Sequence, residues 1–260
     1  MRVIVKVGTS TVHASEDVVA SLGGQVASLV EAGHEVAVFS SGAVHAGRRA
    51  FGAALDARSA AALGQPLVFD AWRVALGSVG IAAAQVLVDD VDLERGGGAA
   101  PVVEALWRAG AVPVLNGNDA IAAGRARVAD NDALAAALAV ALKADRLLLL
   151  TDQDGICTAD PRLDPDARTI HHLSVRELGE AVPTLAAAAG PSGRGGMASK
   201  ARAALGAARG GVATTIANGG TPSVLARVLA GERLGTTVAA RPTLAATIAR
   251  TQPVAAVAAR

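Results

Sequence analysis

The stretch from Arg125 to Asp154, RARVADNDALAAALAVALKADRLLLLTDQD, leaves a chain of this kind few folds. Asp130-Asn131-Asp132 precedes an Ala/Leu run that meets no breaker before Asp145. Asp and Asn suit a helix N-terminus, because their side-chain oxygens accept from the free backbone N–H groups there. Arg146 to Thr151 follows with four leucines in a row and reads as a buried strand. Thr151-Asp152 falls where that strand ends. In open α/β sheets, ligands bind outside the carboxyl ends of strands. Polar groups therefore stand at both ends of one helix–strand unit, and substrate chemistry is expected at them.

The same alternation runs through the chain. Val3 to Val7 reads as a first strand carrying Lys6, and Gly8-Thr9-Ser10 follows at once. A glycine there lets backbone N–H groups approach an anion, although an ordinary turn reads the same way. Glu16 to Ala32 has helical spacing, closed by Gly33-His34. Glu35 to Phe39 is a second strand, and Ser40-Ser41-Gly42-Ala43 leads into another helix, a second turn that suits an anion site, although many α/β crossovers turn this way without binding anything. Residues 53 to 85 read as mainly helical, with Pro66 expected to interrupt them. Ile81 to Val88 is a strand, and Asp89 to Ala100 a flexible glycine-rich loop. Pro101 to Ala109 is a helix and Ala111 to Leu115 a short strand. Asn116-Gly117-Asn118-Asp119 reads either as a group that binds an amino acid's ammonium or as a hairpin turn between Ile121 and Val128, and the two are compatible. Ala186 to Gly190 reads as a low-complexity connector. Gly193 to Lys200, GRGGMASK, opens an Ala-rich helix with a lysine one turn in, which suits phosphate oxygens but lacks the Walker spacing. Thr214 to Ala217 is a last strand before a turn at Asn218-Gly219-Gly220.

Composition excludes several classes of function. The 24 basic and 23 acidic residues give a net charge of +1, which offers no electrostatic footprint for nucleic acid or an anionic membrane. No apolar run reaches the roughly 18–20 residues a spanning helix needs. The N-terminus lacks the apolar core of a signal peptide. Cys157 is the sole cysteine, which fits a reducing, cytoplasmic compartment and reads as packing rather than as a catalytic thiol. His171-His172 has neither the spacing nor the partners of a metal site.

Taken in order, seven segments carry a resemblance: VIVKVGTS at 3–10, VFSSGAVHAGR at 38–48, VPVLNGND at 112–119, ADNDALAA at 129–136, LLLLTDQDG at 147–155, TADPR at 158–162 and GRGGMASK at 193–200. Each is weak alone, but together and in this order they are specific. The chain resembles the amino acid kinase family over about residues 2 to 238, and its TADPR and GGM-x-x-K segments resemble the glutamate 5-kinase branch. The resemblance implies an α/β/α sandwich around a mainly parallel sheet of about eight strands. It implies one kinase domain over 1–240, with 241–260 as a frayed tail, and transfer of phosphoryl from ATP to the side-chain carboxylate of L-glutamate. By similarity Lys6 would neutralise the phosphoryl group in flight, with the amides of Gly8 and Thr9 beside it. Lys200 would hold the nucleotide phosphates, and Asp132 would orient both lysines. Ser41, Asp119 and Asn131, assisted by Asp130, would bind glutamate. Thr151 and Asp152, with Arg194, Gly195, Gly196, Met197, Ala198, Ser199 and Lys200, would bind the nucleotide. Mg²⁺ would ride on the ATP phosphates without a protein cage, and the assembly would be a homo-oligomer, a dimer or tetramer.

The chain departs from that pattern at four places. Gly117 stands where an acidic residue is usual, and Gly96-Gly97-Gly98 where an Arg- and Asn-bearing helix start is usual. Cys157 replaces a common tyrosine, and Arg194 a common threonine. The C-terminal RNA-modification-type (PUA) domain of many relatives is not expected, which would make this a short form. The first two departures lie on the acceptor side, so a different small carboxylate remains open as the acceptor. A sensor without catalysis is the reading from another class, against which Lys6, Asp132 and Lys200 count.

Overall fold

The computed structural model describes residues 1–15, 17–89, 91–93, 98–121, 130–161, 163–188 and 196–240. Among these residues eight strands form one sheet: β1 (Arg2–Val7), β2 (Glu35–Ser40), β3 (Ala82–Val88), β4 (Ala111–Gly117), β5 (Arg146–Thr151), β6 (His172–Leu173), β7 (Ala213–Asn218) and β8 (Thr236–Val238). Their order is β3-β4-β2-β1-β5-β7-β8-β6. All neighbours are parallel except β7 and β8. The helices are α1 (Thr9–Val12), α2 (Val18–Glu31), α3 (Ala43–Phe51), α4 (Ala57–Gly77), α5 (Ala99–Arg108), α6 (Asn131–Ala141), α7 (Val175–Ala188), α8 (Met197–Arg209) and α9 (Val224–Leu229).

The sheet is covered on both faces, which is why its central strands are rich in apolar residues, β5 most clearly with four leucines. Alternation along each strand decides which layer a side chain enters. Val3, Val5 and Val7 of β1, with Leu148 and Leu150 of β5, pack with Leu22 of α2, Trp72 of α4 and Leu225 of α9. Ile4, Leu147 and Leu149 point the other way, into Val103 of α5, Leu138 of α6, Leu178 of α7 and Ala204 of α8. This is the expected three-layer α/β/α sandwich. Lys6 shares the parity of Ile4, so it faces the layer that holds α6 and α8. It is also central, since β1 lies between β2 and β5; an edge lysine is excluded.

Four expectations are corrected. Pro66 does not interrupt α4, which runs through it. The missing N–H and the ring cost about 3 kcal/mol, but Pro66 and Ala62 are both exposed, so the freed Ala62 carbonyl can face water. Burial of Val68, Trp72 and Leu76 further along offsets that cost, at roughly 1.5–3 kcal/mol each. Asn116-Gly117 is not a hairpin turn: both residues lie in β4, opposite Leu87 and Val88 of β3. The turn comes later, where Ile121 N–H donates to the Asn118 carbonyl; Val128 lies outside the described residues. Ala186 to Ala188 belong to α7 rather than to a connector, and α7 also passes through a proline, Pro183. In the 89–100 segment a 3₁₀ turn at Val91–Leu93 and the start of α5 at Ala99 replace part of the expected loop. The 241–260 tail lies outside the described residues.

Helices α3 and α4 touch at two glycines. A Cβ on Gly47 would sit 1.9 Å from the Ala60 carbonyl oxygen, and one on Gly64 would sit 1.9 Å from that of Ala43. This backbone-to-backbone contact fixes the start of α3, and hence the Ser41-Gly42 turn, against α4.

Candidate active site

At the centre stands Asp132, in the first turn of α6 and wholly buried. Lys6 Nζ lies 2.5 Å from its Oδ1, an ion pair without hydrogen-bond alignment. Lys200 Nζ donates to its Oδ2 at 3.3 Å from the first turn of α8. Both lysines are themselves only 3% exposed. Burial pushes the Lys6 ammonium below the usual lysine range; Asp132 opposes that and Lys200 reinforces it. Two positive charges are thus held side by side by one carboxylate, on the floor of an open cavity of about 900 Å³.

Asp130 braces this floor. Its Oδ1 accepts from Ala133 N–H as the cap of α6. Its Oδ2 accepts a very short hydrogen bond from the Ser199 hydroxyl. It lines the cavity, but its two oxygens tie α6 to α8.

The opposite wall is built by a polar network that reaches Asn131. Asn131 Nδ2 donates to Ser41 Oγ at 3.1 Å and to Asn116 Oδ1 at 2.7 Å. Its Oδ1 accepts from Gly117 N–H at 2.9 Å. Asn116 Nδ2 in turn donates to Gln65 Oε1 on α4 at 2.6 Å. A Cβ at Gly117 would come 3.1 Å from Asn131 Oδ1, so the small residue lets β4 approach the α6 cap. Asp119 hangs over the cavity beyond the strand, and burial alone raises its pKa above the usual aspartate range. Asn116, from the segment expected to meet an ammonium group, instead supports Asn131 from behind together with Gln65, and neither lines the cavity. Their signal was weak, an Asn before a glycine and a Gln before a proline.

The turn after β1 departs from expectation in one donor. The Gly8 N–H is already given to the Leu150 carbonyl at 3.1 Å, so it is not free for an anion. Thr9 and Ser10, exposed at the start of α1, line the cavity instead. Gly8 itself matters for space, since a Cβ there would meet the Leu150 carbonyl oxygen at 3.2 Å and Lys200 Nζ at 3.9 Å.

The expected nucleotide residues are brought together in part. Gly196 caps α8, and Met197, Ala198, Ser199 and Lys200 form its first turn. Arg194 and Gly195 lie outside the described residues. Thr151 and Asp152 sit at the carboxyl end of β5, linked by a 3.0 Å hydrogen bond, but they do not line the large cavity. No helix among the described residues is long and apolar enough to cross a membrane.

Residues 1–218 match the Amino acid kinase family. The glutamate 5-kinase of Gloeobacter violaceus is 41% identical over 255 residues, covering 92% of this chain and 69% of that protein. The glutamate 5-kinase of a Polaromonas species is 39% identical, covering 92% of this chain and 67% of its own length. Carbamate kinase from Giardia lamblia, solved with AMP-PNP, shares the fold with a TM-score of 0.66 at 16% identity, over 92% of this chain and 98% of that one. With the sheet order, the buried Lys–Asp–Lys cluster and these likenesses in hand, the chain belongs to the amino acid kinase family.

Proposed function

We propose that this protein is a glutamate 5-kinase, which transfers the γ-phosphoryl group of ATP to the side-chain carboxylate of L-glutamate. The products are ADP and L-glutamyl 5-phosphate, and the reaction opens proline biosynthesis. The observation that carries this reading is Asp132 buried between Lys6 and Lys200, beneath a cavity whose other wall bears Ser41, Asn131 and Asp119.

The reaction asks little covalent chemistry of the protein. A carboxylate oxygen of glutamate attacks the γ-phosphorus, the bond to the β–γ bridging oxygen breaks, and ADP leaves with the electron pair. No general base is needed, because the carboxylate is already ionised at neutral pH. Positioning and charge neutralisation remain, and these suit two lysines held by one carboxylate. Lys6 faces the phosphoryl group in flight, and Lys200, with the turn from Gly196 to Ser199, holds the nucleotide phosphates. Asp132 holds both ammonium groups in place. Thr151 and Asp152 flank the nucleotide side. When bound with ATP, Mg²⁺ would offset charge on the β- and γ-phosphate oxygens. Among the described residues, the carboxylate between the lysines is engaged by both of them, so nucleotide and water would hold the metal.

On the acceptor side, Asp119 supplies a carboxylate for the glutamate ammonium, while Ser41 and Asn131 orient the chain of the substrate. Residues 1–240 act as the kinase domain. The protein works in the cytoplasm as a homo-oligomer, a dimer or tetramer, and Leu63, Leu67 and Val74, exposed on α4, support self-association. The test is ATP- and Mg²⁺-dependent ADP release with L-glutamate, L-aspartate, N-acetyl-L-glutamate and D-glutamate, with hydroxylamine to trap the acyl phosphate. Turnover confined to L-glutamate, with its hydroxamate formed, is expected. Activity only on another acid would refute the acceptor assignment. Lys6→Ala should lose transfer and keep nucleotide binding; wild-type turnover in that variant would remove Lys6 from the reaction.

A further inference from the structure

An amino acid acceptor brings a second carboxylate on the carbon that bears its ammonium group. Whatever binds the ammonium therefore has the α-carboxylate beside it, and that anion needs a donor close to Asp119. Three arginines line this end of the cavity: Arg48 and Arg49 on α3 and Arg58 on α4. Arg58 alone among them is tied to the Asp119 turn, for its Nε donates to the carbonyl oxygen of Ala120, the next residue, at 3.1 Å. Arg48 Nε is turned to the Leu55 carbonyl instead.

With Nε so engaged, the two terminal nitrogens of Arg58 form the forked edge that pairs with a carboxylate through two parallel hydrogen bonds. Asp56, two residues earlier, caps α4, where its Oδ1 accepts from the N–H groups of Arg58 and Ser59. The helix start that carries Arg58 is also anchored. Ala60, two residues on, is pressed against Gly47 of α3, which locks the start of α4 to the Ser41-Gly42 turn. Asp119 lines the same cavity, half-buried, and burial raises its pKa.

We propose that Arg58 is a specificity-determining residue that holds the α-carboxylate of the acceptor, so that Asp119 and Arg58 together clamp its α-amino acid head. The inference rests on the acceptor being L-glutamate. Two analogues separate the two halves of the clamp: glutarate lacks the ammonium, and 4-aminobutyrate lacks the α-carboxylate. The experiment measures the KM of L-glutamate and the inhibition constants of both analogues against it, in wild type, Arg58→Gln, Arg58→Lys, Arg49→Ala and Asp119→Asn.

Arg58→Gln should raise the L-glutamate KM and the glutarate constant together by about 10- to 100-fold, as expected for loss of hydrogen bonds to a charged group. It should leave the 4-aminobutyrate constant and the ATP KM at wild-type values, and Arg58→Lys should restore part of the loss. Asp119→Asn should raise the L-glutamate and 4-aminobutyrate values and spare glutarate. Arg49→Ala should leave the ratio of glutamate to 4-aminobutyrate binding unchanged. If Arg58→Gln keeps the wild-type ratio, or weakens all three ligands alike through a loosened Asp119 turn, the inference is overturned while glutamate kinase activity stands. If wild type turns over no glutamate, the proposed function fails and takes this assignment with it.

Discussion

Replacing Asp132 with Asn preserves shape and removes one charge from the most enclosed point of the site. In the wild type, Lys6, Asp132 and Lys200 sum to one formal positive charge, and solvent scarcely reaches any of them. The substitution leaves two positive charges in the same space. A buried charge stripped of its partner costs about 3–5 kcal/mol. The site has one relief, which is to release a proton from a lysine. Lys6 is placed to do so, because burial already lowers its pKa and Asp132 is the main pull in the other direction. Discharging a lysine at pH 7 from an ordinary value of about 10.4 costs at most about 4.6 kcal/mol, and less for a group already shifted. The variant should therefore fold with a neutral Lys6. A neutral amine cannot offset charge on the transferring phosphoryl group, and loss of one such contact lowers kcat by about 10²- to 10³-fold.

The pH dependence gives this reasoning an independent check. A lysine with a lowered pKa in the folded state binds fewer protons there than in the unfolded chain. Between the lowered value and about 10.4, stability rises with pH. Asp132→Asn lowers the folded value further, so that window should extend toward neutrality and the variant's Tm should climb more steeply from pH 7 to 9 than the wild type's. Its residual turnover should move the opposite way, recovering as the pH falls and Lys6 regains its proton. Scanning calorimetry and ADP release at saturating ATP and glutamate measure the two trends. A kcat within threefold of wild type, or equal slopes of Tm against pH, would refute the organising role of Asp132.

Three further outcomes follow from the geometry. Burial holds the Asp119 pKa above the usual range, and only its ionised form can hold an ammonium; the glutamate KM should therefore rise as pH falls through that raised value, at a higher pH than an ordinary aspartate would give, while the ATP KM stays flat. Gly64→Ala drives a methyl group into the Ala43 carbonyl; overpacking of about 1–3 kcal/mol should lower Tm by several degrees, and the displaced Ser41 turn should raise the glutamate KM, so an unchanged Tm would mean that α3 and α4 part easily. Trp72→Phe removes the 2.9 Å hydrogen bond from Nε1 to Ser40 Oγ inside the core and should cost about 1–3 kcal/mol in denaturant unfolding, with kcat within threefold of wild type.

The sequence disclosed the elements whose burial leaves a mark on composition. Strands β1, β2 and β5 are largely apolar because both their faces are covered, and α6 announces itself through Asp130 at its cap. Elements stabilised by partners rather than by their own pattern left little trace. β6 and β8 have two and three residues, too few for a period to emerge, and they exist because each pairs with the other and β8 with β7. α4 and α7 hold a proline each inside the helix, so a local rule about chain breaking loses there to side chains buried on the core. The Asn116-Gly117 pair misled for a similar reason: its dipeptide preference is for a turn, but β3 and the α6 cap claim its backbone and side-chain groups.

The site shows the same division between local and long-range information. Lys200 and Asp132 lie 68 positions apart, and no spacing rule joins them; their order among familiar segments suggested the cluster, and the topology explains it. The inner strands bring β1 beside β5, parity turns Lys6 toward the layer of α6 and α8, and two helix first turns meet it there. A one-residue slip of β1 would send Lys6 into the apolar layer around Trp72 and put a valine against Asp132. The register of one central strand is therefore the condition on which the chemistry depends. Arg58 carries no motif at all. It enters the site through a carbonyl of the Asp119 turn and a glycine contact two residues away, neither of which can be read until both helices are in place.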